Sequence, residues 1–220
     1  MSLETEKKTF QPVKTLLLSG GEVHDHAGCA DVISEILCDS GRFSADHVKD
    51  SINVFDGGLS DYRLLVFYYT GGYLPDKLSR GLLDWVGRGG GVAGIHSAAD
   101  SFRGSESYRK MLGGYFLSHE KYGPFTIRIT DKPHPVIRGI TGRRFLVVDE
   151  MYRTDYMDDN LILAYSSGRS GDPAPAAWVR KWGKGRVFWL GLGHDPAACR
   201  DELFATLLLN GSLWVSGELE

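Results

Sequence analysis

The stretch that decides the fold is residues 89–100, Gly-Gly-Gly-Val-Ala-Gly-Ile-His-Ser-Ala-Ala-Asp. A glycine turn leads into a short apolar run, Val92 to Ile95, which has the length of a strand buried on both faces of a parallel sheet. His96 follows this run directly, and the small residues 97–99 come next. A polar residue between a buried strand and a small-residue turn occupies the position of a nucleophile elbow.

Strands and helices alternate on the N-terminal side of this stretch. Apolar runs at 15–19 and 64–69 have the length of buried strands and end at paired glycines, and 43–49 is a weaker strand. Apolar residues at helical spacing predict one helix over 28–40 and a second that begins at Pro75. This alternation predicts a doubly wound parallel sheet.

The pattern changes in the C-terminal half of the chain. Residues 125–130 alternate between apolar and polar and predict a half-exposed strand, and 160–166 predicts another. Residues 177–190 contain two apolar runs around Trp-Gly-Lys-Gly, which predicts an antiparallel hairpin. A helix over 201–215 follows. The sequence has no repeat or linker, so we expect one domain over 1–220 with a polar N-terminal arm over 1–12.

Composition and charge bear on location and partners. The 220 residues include 28 acidic and 25 basic side chains, a formal net charge of −3. This balance gives no electrostatic reason to expect nucleic acid or an anionic membrane as a partner. The polar first eight residues and the lack of a membrane-spanning apolar stretch predict a cytoplasmic protein. Three scattered cysteines are typical of reduced thiols rather than of a disulfide framework or zinc finger.

Polar side chains gather just after the predicted strands, where open parallel sheets bind their ligands. Four of the seven histidines fall there, and carboxylates and tyrosines accompany them. The set after parallel strands comprises His24, His26, Tyr68, Tyr73, His96, Asp100 and His194. Tyr115 and His119, and Glu150 with Tyr152, follow other apolar or aromatic runs and can join them. Because imidazole titrates near neutrality and binds metals, the set predicts acid–base or metal chemistry.

Several of these residues have a structural alternative. His24 and His26 flank Asp25, and they either belong to the cap of the first helix or line the site. Asp149 and Glu150 end an apolar run, and they either belong to a solvated turn or supply a ligand group or general base. His134 lies between two prolines and is assigned to a turn.

Taken in order, the motifs resemble those of ThuA-like proteins, the trehalose-utilisation family. The resemblance rests on 89–102, on Gly113–Phe116 followed by His119, on 134–136, on 149–152 and on 185–194. That family is similar in fold to the class I glutamine amidotransferases, which implies a flavodoxin-like three-layer α/β sandwich. Its sheet is expected to be mainly parallel, with an antiparallel C-terminal hairpin.

The resemblance also implies what the elbow cannot do. Amidotransferases of this fold carry a cysteine at the elbow and a histidine after a later strand, and the matching positions here are His96 and His194. Imidazole cannot form the thioester that glutamine hydrolysis uses, and no cysteine lies at a strand-end elbow. We therefore expect no glutaminase activity.

Two functional hypotheses follow from the residues and the resemblance. The first is an enzyme that acts on a carbohydrate or an oxidised sugar derivative by hydrolysis, elimination or isomerisation, with His96, His194 and Glu150 as catalytic residues. Substrate binding is assigned to His24, Tyr68, Tyr73, Asp100, Tyr115, His119 and Tyr152. The alternative is a non-catalytic sugar-binding module that partners a sugar oxidoreductase.

Metal dependence and oligomeric state stay open at the level of the sequence. The candidate ligands for a divalent metal such as zinc are His24, His96, His119 and His194. No local ligand motif fixes their geometry, so the cofactor is unknown. Three tryptophans near the late hairpin, Trp178, Trp182 and Trp189, indicate either buried packing or the contact of a homodimer.

Overall fold

The computed structural model describes residues 11–220. The predicted N-terminal arm therefore lies outside the described residues except for positions 11 and 12, which are exposed. The strands are β1 (Val13–Gly21), β2 (Phe43–Lys49), β3 (Leu64–Thr70), β4 (Gly91–Ile95), β5 (Gly114–His119), β6 (Gly123–Ile129), β7 (Arg144–Asp149), β8 (Tyr152–Tyr156), β9 (Leu161–Ser167), β10 (Ala174–Trp182) and β11 (Gly185–Leu190). The α-helices are α1 (His26–Asp39), α2 (Asp76–Gly87), α3 (Glu106–Leu112), α4 (Pro196–Cys199) and α5 (Glu202–Val215).

One sheet of nine strands runs through the described part of the chain, in the order β2-β1-β3-β4-β11-β10-β9-β6-β7. The first five of these strands are parallel to their neighbours, and the remaining pairs are antiparallel. Four successive reversals from β11 to β7 return the chain to its original direction. The carboxyl end of β7 therefore lies on the same rim of the sheet as those of β1, β3, β4 and β11.

Two apolar layers cover the two faces of this sheet. In β1, Leu17 packs in the layer that contains α1 and α5, whereas Leu16 and Leu18 pack in the layer that contains α2 and α3. The same alternation continues through β3, because successive side chains of a strand point to opposite faces. These layers confirm the predicted three-layer sandwich with a mainly parallel sheet.

The predicted hairpin is confirmed as β10 and β11, which pair from Trp182 opposite Gly185 to Ala177 opposite Leu190. Trp178 and Trp189 stack with ring centroids 4.0 Å apart, and neither is exposed to solvent. These two side chains fill the core. Of the three tryptophans of the hairpin, Trp182 is the half-buried one and lies near the surface. Buried packing is thus the role of the pair, and the homodimer stays a prediction.

Strands β5 and β8 form a separate antiparallel pair, in which His119 lies opposite Tyr152. This pairing brings two regions that are far apart in sequence to the same end of the molecule. No helix between residues 11 and 220 combines the length and apolar character needed to cross a bilayer.

Candidate active site at the strand ends

His96 occupies a strained elbow directly after β4. Its φ is 42°, in the left-handed region that side-chain-bearing residues rarely adopt, and its side chain is fully buried. Three neighbours hold it: Trp189 Nε1 donates to the His96 carbonyl over 3.2 Å, and His96 Nδ1 donates to the Gly191 carbonyl over 2.8 Å. The third is Tyr152, whose ring centroid lies 3.9 Å from that of His96. The Gly191 bond turns Nε2 toward the carboxyl ends of the strands.

The loop after β1 combines both roles that the sequence left open. The Asp25 carboxylate accepts from the Gly28 amide over 3.0 Å and caps α1. His24 turns the other way, and its Nδ1 lies 2.9 Å from the hydroxyl of Thr70 at the end of β3. The ring centroid of His24 lies 5.2 Å from that of His96. Asp25 is therefore the helix cap, and His24 belongs to the cluster.

His194 is positioned through its backbone by the buried carboxylate of Asp149. The Asp149 carboxylate accepts from the amides of Glu150 over 2.7 Å, Gly193 over 2.7 Å and His194 over 3.1 Å. This carboxylate joins the end of β7 to the loop after β11. Two segments that the sheet order separates are thereby fixed against each other.

Glu150 lies among three histidines. Its Oε2 is 3.2 Å from His194 Nδ1 and 3.6 Å from His96 Nε2, and its Oε1 is 2.9 Å from His119 Nδ1. The 3.2 Å contact does not align an N–H of the His194 ring with the carboxylate, so His194 Nδ1 has no hydrogen-bond partner among the residues that the structure describes. Because His119 contacts Oε1 and the other two histidines contact Oε2, His119 lies on the opposite side of the carboxylate.

The cluster formed by His24, His96, Glu150 and His194 has one ligand-type atom from each residue, and these atoms lie within 4.8 Å of one another. His96 forms the floor, and the half-buried His24 and His194 are in contact with solvent. The exposed Tyr122 packs beside His194 with ring centroids 5.5 Å apart. The cluster thus lies at the carboxyl rim of the sheet, with a buried floor and two half-buried histidines, and we call this partly open cluster the recess.

Burial and mutual charge set the protonation of the cluster. Burial, followed by the nearby imidazoles of His96 and His194, lowers the pKa of His24 to about 3. Burial acts to raise the pKa of the Glu150 carboxyl, but His194 and His96 outweigh it and hold that pKa well below its usual range. The Glu150 carboxylate in turn raises the pKa of His194 against the opposing effect of burial. At neutral pH the site holds a neutral His24 beside an ionised Glu150.

Four of the predicted substrate-binding residues either point away from the cluster or use their polar groups in other contacts. Tyr68 is fully buried and donates to the Gly193 carbonyl over 3.0 Å, and Tyr115 donates to backbone carbonyls of residues 102 and 105. Tyr73 is 76% exposed and follows two left-handed glycines that turn the chain toward α2. Asp100 pairs with Arg103. The residues that do meet are His24, His96, His119, Glu150, Tyr152 and His194, and Tyr68 packs against them with its ring centroid 6.1 Å from that of His24.

For three residues that shape the site, the sequence did not predict the role that the structure shows. Thr70 holds His24, and its signal is its place at the end of a buried strand, on the ligand-binding rim. Asp149 holds the backbone of Gly193 and His194. Its signal in the sequence is a carboxylate directly after an apolar run, and it shares this signal with Glu150. Phe116 lies with its ring centroid 4.5 Å from that of Tyr152 and 5.9 Å from that of His119.

A cleft of about 420 Å³ lies away from the histidines, between β7 and the start of α5. Among residues 11–220 no histidine lines this cleft, and its Asp201 is already used as the cap of α5. The groups that can transfer protons or bind a metal converge instead at the histidine cluster.

Comparison with known proteins agrees with this fold. A ThuA-like protein from Parabacteroides merdae ATCC 43184 superposes with a TM-score of 0.86 at 26% identity, covering 95% of this chain and 92% of that one. A ThuA-like protein from Bacteroides uniformis ATCC 8492 gives 0.78 at 20% identity, with 93% and 91% covered. A cytoplasmic protein from Salmonella typhimurium LT2 gives 0.70 at 15% identity, with 92% and 99% covered.

Sequence comparison adds the family. No curated protein matches the chain. The family model for ThuA, described as trehalose utilisation, matches residues 14–215, which include all but the first residue of the sheet and the whole cluster. The chain therefore belongs to the ThuA family.

Proposed function

We propose that the chain is an enzyme that acts on a carbohydrate or an oxidised sugar derivative by hydrolysis, elimination or isomerisation. The observation that carries the proposal is the convergence of His24, His96, His194 and Glu150 within 4.8 Å. These groups come from four separate places in the sequence and meet at the ligand-binding rim of the sheet. A binding module does not need so many titratable groups in one recess.

The residue at the elbow supports acid–base or metal chemistry rather than covalent glutamine hydrolysis. His96 replaces the thiol that a covalent amidotransferase mechanism needs, and Cys29 and Cys199 are buried. The remaining cysteine, Cys38, is exposed on α1, away from the strand ends. The cluster can instead move protons or polarise a carbonyl group, which serves hydrolysis, elimination and isomerisation alike.

The mouth of the recess suits a sugar ring. The exposed His119 stacks on Phe116 and contacts Glu150, so an aromatic face and a proton-transfer pair lie together. Tyr122 adds a second aromatic ring beside His194. Aromatic faces next to fixed polar groups are typical of pockets for polar ring compounds, and the trehalose-utilisation family supports the same substrate class. A cytoplasmic location is part of this proposal, since one solved neighbour is described as a cytoplasmic protein.

The test is a conversion assay with matched histidine variants. Trehalose, other disaccharides and their keto and lactone derivatives are incubated with the purified chain, and products are identified by mass spectrometry and NMR. His119→Ala is expected to lower turnover by about a hundred- to ten-thousand-fold, the range for loss of an acid–base group. His47→Ala is the control, because His47 is exposed on β2, outside the cluster, and its Nε2 lies 2.8 Å from the hydroxyl of Ser19.

Two results would remove the proposal. Full turnover by both His119→Ala and His96→Asn would show that the reaction occurs elsewhere. Sugar binding without any conversion, and with an affinity that is flat between pH 5 and pH 8, would favour the binding module instead. Asn is chosen at position 96 because it tolerates the left-handed backbone better than Ala.

A further inference from the structure

We propose that His24, His96, His194 and Glu150 together bind one divalent transition-metal ion, with Zn²⁺ as the preferred occupant. The ion would occupy the recess to which the proposed function assigns catalysis. The inference rests on that function for the role of the metal, but its binding is argued from the structure alone.

Three ring nitrogens of the cluster lack partners in the described part of the chain. His24 Nε2, His96 Nε2 and His194 Nδ1 are buried and make no hydrogen bond with any residue between 11 and 220. Buried polar atoms in folded proteins are almost always paired, so three in one recess call for an explanation. A single ion at the centre of the cluster would satisfy all three nitrogens at once.

Hydrogen bonds at the far nitrogens of two rings orient these rings toward the cluster. A histidine that binds a metal through one nitrogen usually has the other held by a hydrogen bond. His96 Nδ1 donates to the Gly191 carbonyl, and because a carbonyl only accepts, the neutral ring carries its proton there and a lone pair on Nε2. His24 Nδ1 is held by the Thr70 hydroxyl, which leaves Nε2 facing the cluster. Two rings are thus oriented as ligands.

The separations between the rings also match those of a tetrahedral metal site. Three imidazoles bound tetrahedrally at about 2.05 Å would have ring centroids about 5.2 Å apart and donor atoms about 3.3 Å apart. The three centroid separations among His24, His96 and His194 are 5.2, 5.0 and 5.5 Å. Glu150 Oε2 lies 3.2 Å from His194 Nδ1 and 3.6 Å from His96 Nε2. The rings and the carboxylate already have nearly the spacing that an ion would impose.

The donor set selects the class of ion. Mg²⁺ and Ca²⁺ take oxygen ligands, whereas a site of three imidazoles and one carboxylate suits Zn²⁺ and its neighbours in the first transition row. His119, which the sequence also offered as a ligand, contacts the outer oxygen of Glu150 and so orients the carboxylate. In the proposed reaction, the ion would polarise a substrate oxygen or lower the pKa of a bound water.

The experiment measures metal binding before any activity. The full chain is stripped with a chelator, titrated with Zn²⁺ by calorimetry and analysed for metal content, and Co²⁺ absorption reports the coordination number. We expect one ion per chain, and a melting temperature that rises with Zn²⁺. Thr70→Val removes the hydrogen bond behind His24 and should weaken Zn²⁺ binding by roughly 10- to 100-fold, and Glu150→Gln and His24→Ala should weaken it further. His47→Ala and Glu106→Gln, which alter exposed groups outside the cluster, should bind as the wild type does.

The results separate the metal site from the proposed function. Zn²⁺ binding that no cluster variant weakens, or that His47→Ala weakens equally, would overturn the metal site. Circular dichroism tests whether each variant is folded. If a cluster variant is misfolded, Thr70→Val is used in its place. One Zn²⁺ per chain with no turnover on any sugar would support the site and remove the function. Full turnover by the folded, metal-free chain would keep the function and overturn the metal as its cofactor.

Discussion

Asp149 is the side chain whose removal should damage the site most without touching a substrate. It is 2% exposed, and its carboxylate accepts from three backbone amides that belong to two distant segments. A hydrogen bond to a charged group contributes a net of about 1.5–3 kcal/mol, and loop relaxation recovers part of the sum over three such bonds. We expect Asp149→Ala to lower the free energy of unfolding by about 4 kcal/mol, a large share of the roughly 5–15 kcal/mol typical of a domain.

Asp149→Asn separates the loss of charge from the loss of all three bonds. The amide oxygen can replace Oδ1 and keep the bonds to the amides of Glu150 and His194, but its NH₂ group would face the Gly193 amide, donor against donor. One charge-assisted bond is lost, so the expected cost is about 2 kcal/mol. Urea unfolding of chelated protein, followed by circular dichroism, measures both variants without a contribution from bound metal.

A control and a second measurement test the positioning role itself. Asp131 is an aspartate with an 89% exposed side chain, 3.2 Å from Arg143, and Asp131→Ala should change stability by less than about 1 kcal/mol. Asp149→Asn should also weaken Zn²⁺ binding by about 10- to 100-fold, because His194 and Glu150 lose their common support. The reasoning is refuted if Asp149→Ala costs less than about 1 kcal/mol, or if Asp149→Asn binds Zn²⁺ as the wild type does.

Three further predictions concern strain, protonation and the elbow. Val23 has φ of 76° and is 88% exposed, so Val23→Asn should relieve a left-handed β-branched residue and raise stability by about 1 kcal/mol, seen as a higher melting temperature. Burial and Arg186 lower the pKa of His134 below its ordinary value of 6.5. The unfolded chain therefore takes up a proton below pH 6.5 that the folded chain excludes, so stability falls as the pH drops. The loss of unfolding free energy between pH 7.5 and pH 5, measured with urea, should be smaller in His134→Asn than in the wild type. An unchanged loss would contradict this prediction. Glutamine incubated with the wild-type chain should release no ammonia, because His96 cannot form a thioester.

The fold was largely predictable because its signals are local. The apolar runs of β1, β3 and β4 end at glycines or polar residues, and each run is buried in the structure as expected. The paired strands around Gly183-Lys184 also have a local turn signal. Period and turn chemistry act over a few residues, so a single sequence displays them.

The membership of the site was only partly predictable, because it depends on directions that no local pattern contains. Tyr68 lies on the same strand and the same face as Thr70, yet it is buried in the layer that contains α1, and its hydroxyl donates to the Gly193 carbonyl. Tyr73 follows that strand, and the left-handed Gly71 and Gly72 turn it away. Glu150 follows an edge strand that lies four strands from β11 in the sheet. Its place beside His194 results from the even number of strand reversals and from the Asp149 carboxylate, and both are tertiary facts.

The strained backbone of His96 favours a ligand role over a simple acid–base role at the elbow. A left-handed residue with a side chain costs about 1–2 kcal/mol and persists only where its surroundings determine it. Here Trp189, Gly191 and Tyr152 all fix this one residue, and the ring is buried at the floor of the recess. A base that exchanges protons with a substrate gains little from such depth, whereas a metal ligand gains both orientation and exclusion of water. The same elbow that aims a nucleophile in related folds can thus aim a lone pair at an ion.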